Sequence, residues 1–316
     1  MAHKVKKVAI TGGTGPIGMA LIKILLKESI EILLFLRKGS ERKKNLPQSK
    51  FLKIEYYGLE QLGDYFPVEH DYDVFFHLGW KNTDAYMRDL LEVQYENVKY
   101  SCDAVELAHK LGCHSFIGAG SQAEYGRKQE ALRDDTLCIP ENAYGAAKLS
   151  ACHATGILCQ KYGIRYMWPR ILSGYGLFDN ERSVLISNIL NALEGRKLVF
   201  SEGKQIWDFV YMDDIGEALL CIAKEGKNNA VYPFGRGKAR PLKEFGEYLC
   251  SKLGKLDEMG LGAIPYDVNQ VMHLEADISK IQEDTGWEPK VEFEDGIEKV
   301  IKFYKQRKEE NKSENL

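Results

Sequence analysis

Short apolar runs alternate with helix-length segments along the first half of the chain. "KKVAITG" (6–12) predicts a strand and 17–28 a helix. "EILLFLR" (31–37), "FLKIEYY" (51–57) and "DVFFHLGW" (73–80) predict three more strands, followed by a long helix near 84–110. "SFIGAG" (115–120) is a fifth strand, 144–161 a helix, and "IRYMWPRIL" (164–172) a sixth strand. Strands that are apolar throughout, rather than alternating, are covered on both faces, and strands separated by helices run parallel. The right-handed crossover rule then gives a doubly wound α/β sheet. Beyond about residue 171 the pattern loosens into Gly-, Pro- and charge-rich turns.

The first strand–helix junction, "VAITGGTGPIG" (8–18), holds two overlapping glycine spacings. Gly13, Gly15 and Gly18 spell G-x-G-x-x-G, while Gly12, Gly15 and Gly18 spell T-G-x-x-G-x-x-G from Thr11. Either suits a dinucleotide. Glycines permit a tight turn and a close approach of the pyrophosphate to a helix N-terminus, where free N–H groups and the dipole favour an anion. The division expected from this is a dinucleotide-binding Rossmann unit over 1–170 with a returning segment at about 208–235. A discontinuous, smaller substrate-binding part then takes 171–207 and 236–306, and 307–316 is a charged tail expected to fray.

Composition narrows the classes. The 316 residues are 44% hydrophobic and 28% charged, an ordinary globular balance, and the net charge of −3 leaves no basic footprint for nucleic acid. No apolar run reaches bilayer length, and the chain enters its first strand without a leader, so neither membrane nor secretion is expected. Seven scattered cysteines without C-x-x-C or metal spacing point to reduced thiols in the cytoplasm and to no metal.

The chain resembles the extended short-chain dehydrogenase/reductase family, the group of nucleotide-sugar epimerases, dehydratases and reductases. Thr11 to Gly18 is similar to the family's cofactor loop, "HLGW" (77–80) to its fourth-strand end, and Asn97-Val98 to its helix-borne asparagine. "GSQAEYG" (120–126) resembles its serine segment and "YGAAK" (144–148) its Tyr-x-x-x-Lys. "RILSGYG" (170–176), "WDFVYMDD" (207–214) and "DISKIQEDTGWEP" (277–289) resemble its substrate-side and C-terminal motifs. The resemblance implies that Gly12, Gly15 and Gly18 are the working set and Gly13 a turn residue. It implies cofactor contacts from Pro16, Ile17, Arg37, Lys38, Leu78, Gly79, Asn97, Tyr144, Lys148 and Leu172, and substrate contacts from Ser121, Gln122, Ala123, Ser173 and Trp207.

Tyr144 and Lys148, four apart, share a helix face. A phenol's ordinary pKa of about 10 is high for acid–base work near neutrality, and a nearby ammonium lowers it. Tyr144 then gives a proton to a carbonyl oxygen as hydride arrives, Ser121 holds that oxygen, and Lys148 also holds the nicotinamide ribose, as the family implies. The end of the second strand reads Leu36-Arg37-Lys38 with no acid, so Arg37 fits a 2′-phosphate and NADP(H) is favoured, with NAD(H) possible.

Dehydratases of the family carry an Asp-Glu pair where this chain has Gln122 and Ala123, and strand alternation turns Glu124 away. Epimerising synthases carry a Cys and a His where this chain has Ala123 and Ser183. What remains is hydride chemistry. The expected activity is NADP-dependent reduction of a keto group, at C4, of a nucleotide-activated deoxysugar. The alternatives are an NAD-dependent 4-epimerase and, in another class, a non-catalytic NADP(H) sensor. The family's usual Asn and Arg are replaced by Ser173 and Trp207, and Arg236, Lys238 and Arg240 are candidates for the missing positive charge. His77 and the cysteines are expected to be packing residues. A homodimer is expected through the two long helices, with Leu90, Leu91, Val105, Leu149 and Leu158 as apolar contacts.

Overall fold

The structure, a computed structural model, describes residues 3–83 and 85–314. The first half alternates as the apolar runs predict: β1 (Lys7–Thr11), α1 (Pro16–Lys27), β2 (Glu31–Phe35), β3 (Leu52–Glu55) and β4 (Val74–His77). Next come α2 (Leu91–Lys110), β5 (Ser115–Gly118), β6 (Gly120–Ser121), α3 (Ala143–Tyr162) and β7 (Arg165–Ile171). The second half is broken into shorter pieces: β8 (Ser173–Tyr175), α4 (Val184–Leu193), β9 (Leu198–Val199), β10 (Ile206–Trp207) and β11 (Phe209–Tyr211). It continues with α5 (Met212–Glu225), β12 (Ala230–Phe234), β13 (Arg240–Pro241), α6 (Leu242–Lys252), β14 (Met259–Gly260), β15 (His273–Leu274), α7 (Ser279–Thr285) and α8 (Phe293–Glu314).

The main sheet has the order β12-β7-β5-β4-β1-β2-β3, with β6 paired to β7, and every pairing in it is parallel. It is the doubly wound Rossmann-type sheet. Its order reverses between β1 and β4, where Thr11 lies opposite His77, and α/β sheets bind ligands at this switch point. One face is buried under α1 and α5 and the other under α2 and α3. Gly216 brings α5 close to α1, since a Cβ there would lie 2.9 Å from the Ala20 carbonyl carbon. A separate apolar cluster joins α4, α6 and α8 through Leu185, Ile189, Phe245, Leu249, Ile297 and Val300. No helix among the described residues is long and apolar enough to cross a membrane.

Three expectations change. The helix expected from 84 begins on a residue outside the described ones, and α2 starts only at Leu91, after a short turn over Ala85–Asp89. The buried Gln94 side chain explains the break. Its amide nitrogen donates to the carbonyls of Met87 (2.8 Å) and Asn82 (2.9 Å), and so takes the Met87 carbonyl that a continuous helix would bond to residue 91. Second, Val105 is wholly buried under the sheet and Leu158 packs against the same core. The apolar side chains that α2 and α3 turn outward are Leu91, Tyr95 and Ile157. Third, the expected charged tail continues α8 to Glu314, anchored by buried Ile301 and Tyr304 and by Lys308, which donates to the Leu193 carbonyl. Residues 315–316 lie outside the described ones.

Candidate active site

The glycine loop follows β1. Gly12 sits at φ +75°, and a Cβ on it would lie 2.5 Å from the Gly79 nitrogen. A Cβ on Gly18 would lie 2.3 Å from the Gly12 carbonyl oxygen. These two glycines are demanded by the protein's own backbone. Gly13 is the turn residue expected, inside a turn closed by the Gly15 N–H donating to the Gly12 carbonyl (3.1 Å), and its place is also tight against the Leu34 and Ile22 side chains. Gly15 is different, because a Cβ there would meet nothing nearer than the Gly12 oxygen at 3.4 Å. Gly15 caps α1, Pro16 occupies the first turn, and neither a capping side chain nor an acid neutralises that end of the helix. An open cradle at an uncapped helix N-terminus fits a dinucleotide pyrophosphate. Ile17 packs against the core beneath the loop.

A buried chain of hydrogen bonds ties this loop to the end of β4. The Gly79 N–H donates to Thr11 Oγ1 (3.2 Å), which contacts His77 Nδ1 (2.9 Å). His77 Nε2 contacts Ser101 Oγ (3.1 Å), and the Ser101 hydroxyl donates to the Asn97 carbonyl (2.8 Å). The Ser101 proton is committed, so Nε2 carries the imidazole proton and Nδ1 accepts from Thr11. His77 is therefore more than packing. Asn97 also departs from expectation: its side chain accepts from the Lys81 N–H (2.7 Å) and donates to the Lys81 and Val93 carbonyls. It clamps the loop after β4, and both its polar atoms are spent on that. Leu78 is half-buried against the core, and Leu172 lies in a small buried cluster with Tyr125 and Leu132.

Tyr144 and Lys148 are both buried on the first turns of α3, whose N-terminus Asn142 caps by accepting from the Gly145 N–H (2.7 Å). Lys148 Nζ donates to the Ala119 carbonyl (2.6 Å) and lies 3.7 Å from the centre of the Trp80 ring. Trp80 stands edge-on to Tyr144 at 5.9 Å and donates its indole N–H to Gln94 (2.8 Å). Ser121 lies beside Tyr144 and favours the phenolate. Its hydroxyl also accepts from the Ala123 N–H (3.2 Å).

The electrostatics correct the expectation for Tyr144. Burial dominates and raises its phenol above the ordinary value, while Arg88 and Ser121 oppose that rise. Burial likewise pulls the Lys148 ammonium down to about 7, with Glu124 favouring the charged form. The cation close to the phenol is Arg88, whose guanidinium carbon lies 4.7 Å from the ring centre, against 6.0 Å for Lys148 Nζ. Nothing in the local sequence around "AYMRD" marks Arg88, because only the turn before α2 brings it there.

Glu124 does turn away from the site, but through a short helical turn over Gln122–Glu124 rather than through strand alternation. It is fully buried and saturated, accepting from the Ser121 N–H (2.8 Å), the Trp168 indole (3.0 Å) and Arg170 Nε (2.7 Å). Gln122 and Ala123 line a cleft of about 220 Å³ with Asp89, Arg127, Asn142 and Asn269. Ser183 caps α4 by accepting from the Ile186 N–H. The two substrate-side departures satisfy each other, as Trp207 donates its indole N–H to Ser173 Oγ (2.7 Å). The expected spare cations are not spare. Arg236 and Lys238 pair with Glu292, and Arg240 pairs with Glu294. Arg37 and Lys38 stand exposed beyond β2, after a buried Leu36. Among the described residues no cluster of His, Cys, Asp and Glu is placed to hold a metal.

The model of the NAD dependent epimerase/dehydratase family matches residues 8–235. The chain is 26% identical to the dTDP-4-dehydro-6-deoxyglucose reductase of Escherichia coli, over 93% of this chain and 96% of the relative. It is 21% identical to the dTDP-glucose 4,6-dehydratase of Haemophilus influenzae, over 94% and 97%. The fold superposes on the UDP-N-acetylglucosamine 4-epimerase of Methanobrevibacter ruminantium with a TM-score of 0.87 at 22% identity, covering 96% of this chain and all of that one (100%).

The burial of His77 predicts an acid response. Its imidazole is held down to about 3, by burial first and by Lys148 second. Below the unfolded value of about 6.5 the unfolded chain takes up a proton that the folded one refuses. Its contribution is therefore complete above pH about 6.5 and falls by about 1.4 kcal/mol per pH unit toward pH about 3. Urea denaturation between pH 6.5 and 4.5 should give a slope of stability against pH that is about one proton shallower in His77→Gln than in the wild type. Equal slopes would contradict the neutral, buried assignment.

Proposed function

The chain belongs to the NAD dependent epimerase/dehydratase family, and it is an enzyme of the extended short-chain dehydrogenase/reductase type; on that premise we propose that it reduces the C4 keto group of a nucleotide-activated deoxysugar with NADPH. The observation that carries this reading is the set of proton carriers at Tyr144. Ala123 and Ser183 supply none where relatives would need them, and Glu124 is locked into a buried ion pair with Arg170. One donor suits one protonation, that of an oxygen receiving hydride.

The cradle at Gly15 and the N-terminus of α1 would hold the pyrophosphate, and Arg37 with Lys38 the 2′-phosphate. The nicotinamide supplies the hydride. Ser121 would orient the sugar's carbonyl oxygen against Tyr144, and Tyr144 would donate its proton to that oxygen as negative charge develops there. Lys148, held by the Ala119 carbonyl, keeps two N–H bonds to offer the ribose. Gln122 and Ala123 would flank the sugar, with the nucleotide beyond the Ser173–Trp207 pair. Trp80 shields Lys148 and the inner edge of Tyr144 from water. We place the enzyme in a reducing cytoplasm, where its seven cysteines stay free thiols. The second reading, NAD-dependent 4-epimerisation, is favoured by the family description and by the likeness to a 4-epimerase fold.

The two readings separate in one assay. With dTDP-4-dehydro-6-deoxyglucose and NADPH deuterated at C4, reduction consumes nicotinamide absorbance and puts deuterium on the sugar's C4. An epimerase would leave NADPH unconsumed and would instead interconvert 4-hydroxy sugars on bound NAD. Calorimetry should show NADPH binding roughly ten- to a hundredfold tighter than NADH, with Arg37→Ala erasing most of the difference, because a charge-assisted pair contributes about 1.5–3 kcal/mol. Equal affinities in the wild type would sink the cofactor assignment.

We also propose a homodimer through α2 and α3, which turn Leu91, Tyr95 and Ile157 outward, 57%, 46% and 66% exposed. Light scattering at micromolar concentration should give twice the chain mass, and Ile157→Glu should return it to one. A monomer in the wild type would contradict this route.

A further inference from the structure

The turn between β4 and α2 packs against α3. It carries Arg88 across the face of the Tyr144 ring, with the guanidinium carbon 4.7 Å from the ring centre. The position is built rather than incidental. Arg88 Nε donates to the Thr83 carbonyl (2.9 Å), which fixes the direction of the side chain. The turn itself is nailed to α2 by the wholly buried Gln94, through the Asn82 and Met87 carbonyls and the Trp80 indole. Asn97 clamps the preceding Lys81 from the next turn of α2. The next residue along, Asp89, lines the cleft that also contains Gln122 and Ala123.

We propose that Arg88 is a positioning residue for the reaction, presenting to the Tyr144 ring the nearer of two cations and so favouring the negative charge that the phenol acquires when it gives up its proton. The charged groups around the phenol set the balance. Lys148, on the same helix, points to the Ala119 carbonyl and the Trp80 face and lies 6.0 Å from the ring centre. Glu124, from the turn after β6, opposes the phenolate but is itself neutralised by Arg170. Arg88, from the turn before α2, is the first charge to act on Tyr144 after burial has raised it. A guanidinium keeps its charge at every working pH, whereas the Lys148 ammonium is pulled down to about 7. Arg88 therefore supplies a constant field where Lys148 supplies one that fades above neutrality.

This inference rests on Tyr144 being the proton donor, but its test reads the phenol and not the turnover. Tetranitromethane nitrates tyrosine through the phenolate, and peptide mass mapping reports Tyr144 apart from the other sixteen tyrosines of the seventeen in the chain. At pH 8 the two roles open to Arg88 give opposite signs. If Arg88 only covers the ring, Arg88→Met uncovers it and nitration of Tyr144 speeds up. If Arg88 favours the phenolate, nitration slows by about threefold or more, since an opposite charge this close shifts a phenol by a substantial fraction of a pKa unit even when half-exposed. Arg88→Lys, which keeps the charge, should restore most of the wild-type rate. NADPH binding within a few fold of wild type shows that each variant is folded. Slower nitration in Arg88→Met with recovery in Arg88→Lys supports the proposal. An unchanged or faster rate in Arg88→Met overturns it, whatever Tyr144→Phe does to reduction.

Discussion

Removal of Tyr144 and Lys148 from water is the constraint around which the rest of this site is arranged. Both side chains are buried, at 8% and 5% exposure, and burial alone drives each toward its neutral form. The roles proposed for them, a phenol that releases a proton and an amine that holds its charge, need the opposite. The surroundings answer with fixed dipoles and charges: the Ala119 carbonyl and Trp80 face for the ammonium, Ser121 and Arg88 for the phenol, and Glu124 behind both. In a dry pocket such fixed groups act more strongly than they would in water, and they need no rearrangement during the reaction.

The supports of that pocket come from separated parts of the chain, and each is a polar group buried with its partners. Glu124 and Arg170 bind Ser121 to the end of β7, with the Trp168 indole closing the remaining valence. Such a pair adds little net stability, yet losing one partner leaves a charge stranded in the core, commonly at a cost of about 3–5 kcal/mol. On the cofactor side the chain from Gly79 through Thr11, His77 and Ser101 to Asn97 locks β1, β4 and α2 together. The glycine loop rests on that lock, because Gly12 can approach Gly79 only while the end of β4 stays in place.

Most of the sheet was legible in the sequence because its strands are buried on both faces, and an apolar run such as "DVFFHLGW" has no other stable use in a parallel sheet. The shared face of Tyr144 and Lys148 was legible because one helical turn separates them. The site was illegible where a side chain acts across the fold. Asn97 reads as a ligand-facing residue and is a loop clamp. Gly13 reads as a turn and is one, but its packing against Leu34 and Ile22 has no mark in the sequence. Val105 was expected at a contact between chains but is wholly buried under the sheet, beside Ala104 and Ala108 of α2. Arg88 leaves no mark at all, because a single arginine in a short turn looks like a solvated charge until the turn is folded back over α3. The charged stretch after residue 306 was misread for the opposite reason, as buried Ile301 and Tyr304 anchor a helix that its polar surface conceals.

If Tyr144 gives its proton to the reduced oxygen, as we propose, one comparison shows it. It is the single-turnover rate of NADPH oxidation with dTDP-4-dehydro-6-deoxyglucose, in wild type and Tyr144→Phe, set beside the NADPH dissociation constant of each. The hydroxyl matters only as charge develops on the carbonyl oxygen, so its loss should lower the rate by about 10²–10⁴ and leave cofactor affinity within a few fold. A Tyr144→Phe enzyme that keeps more than about a tenth of the wild-type rate would contradict the assignment and the mechanism built on it.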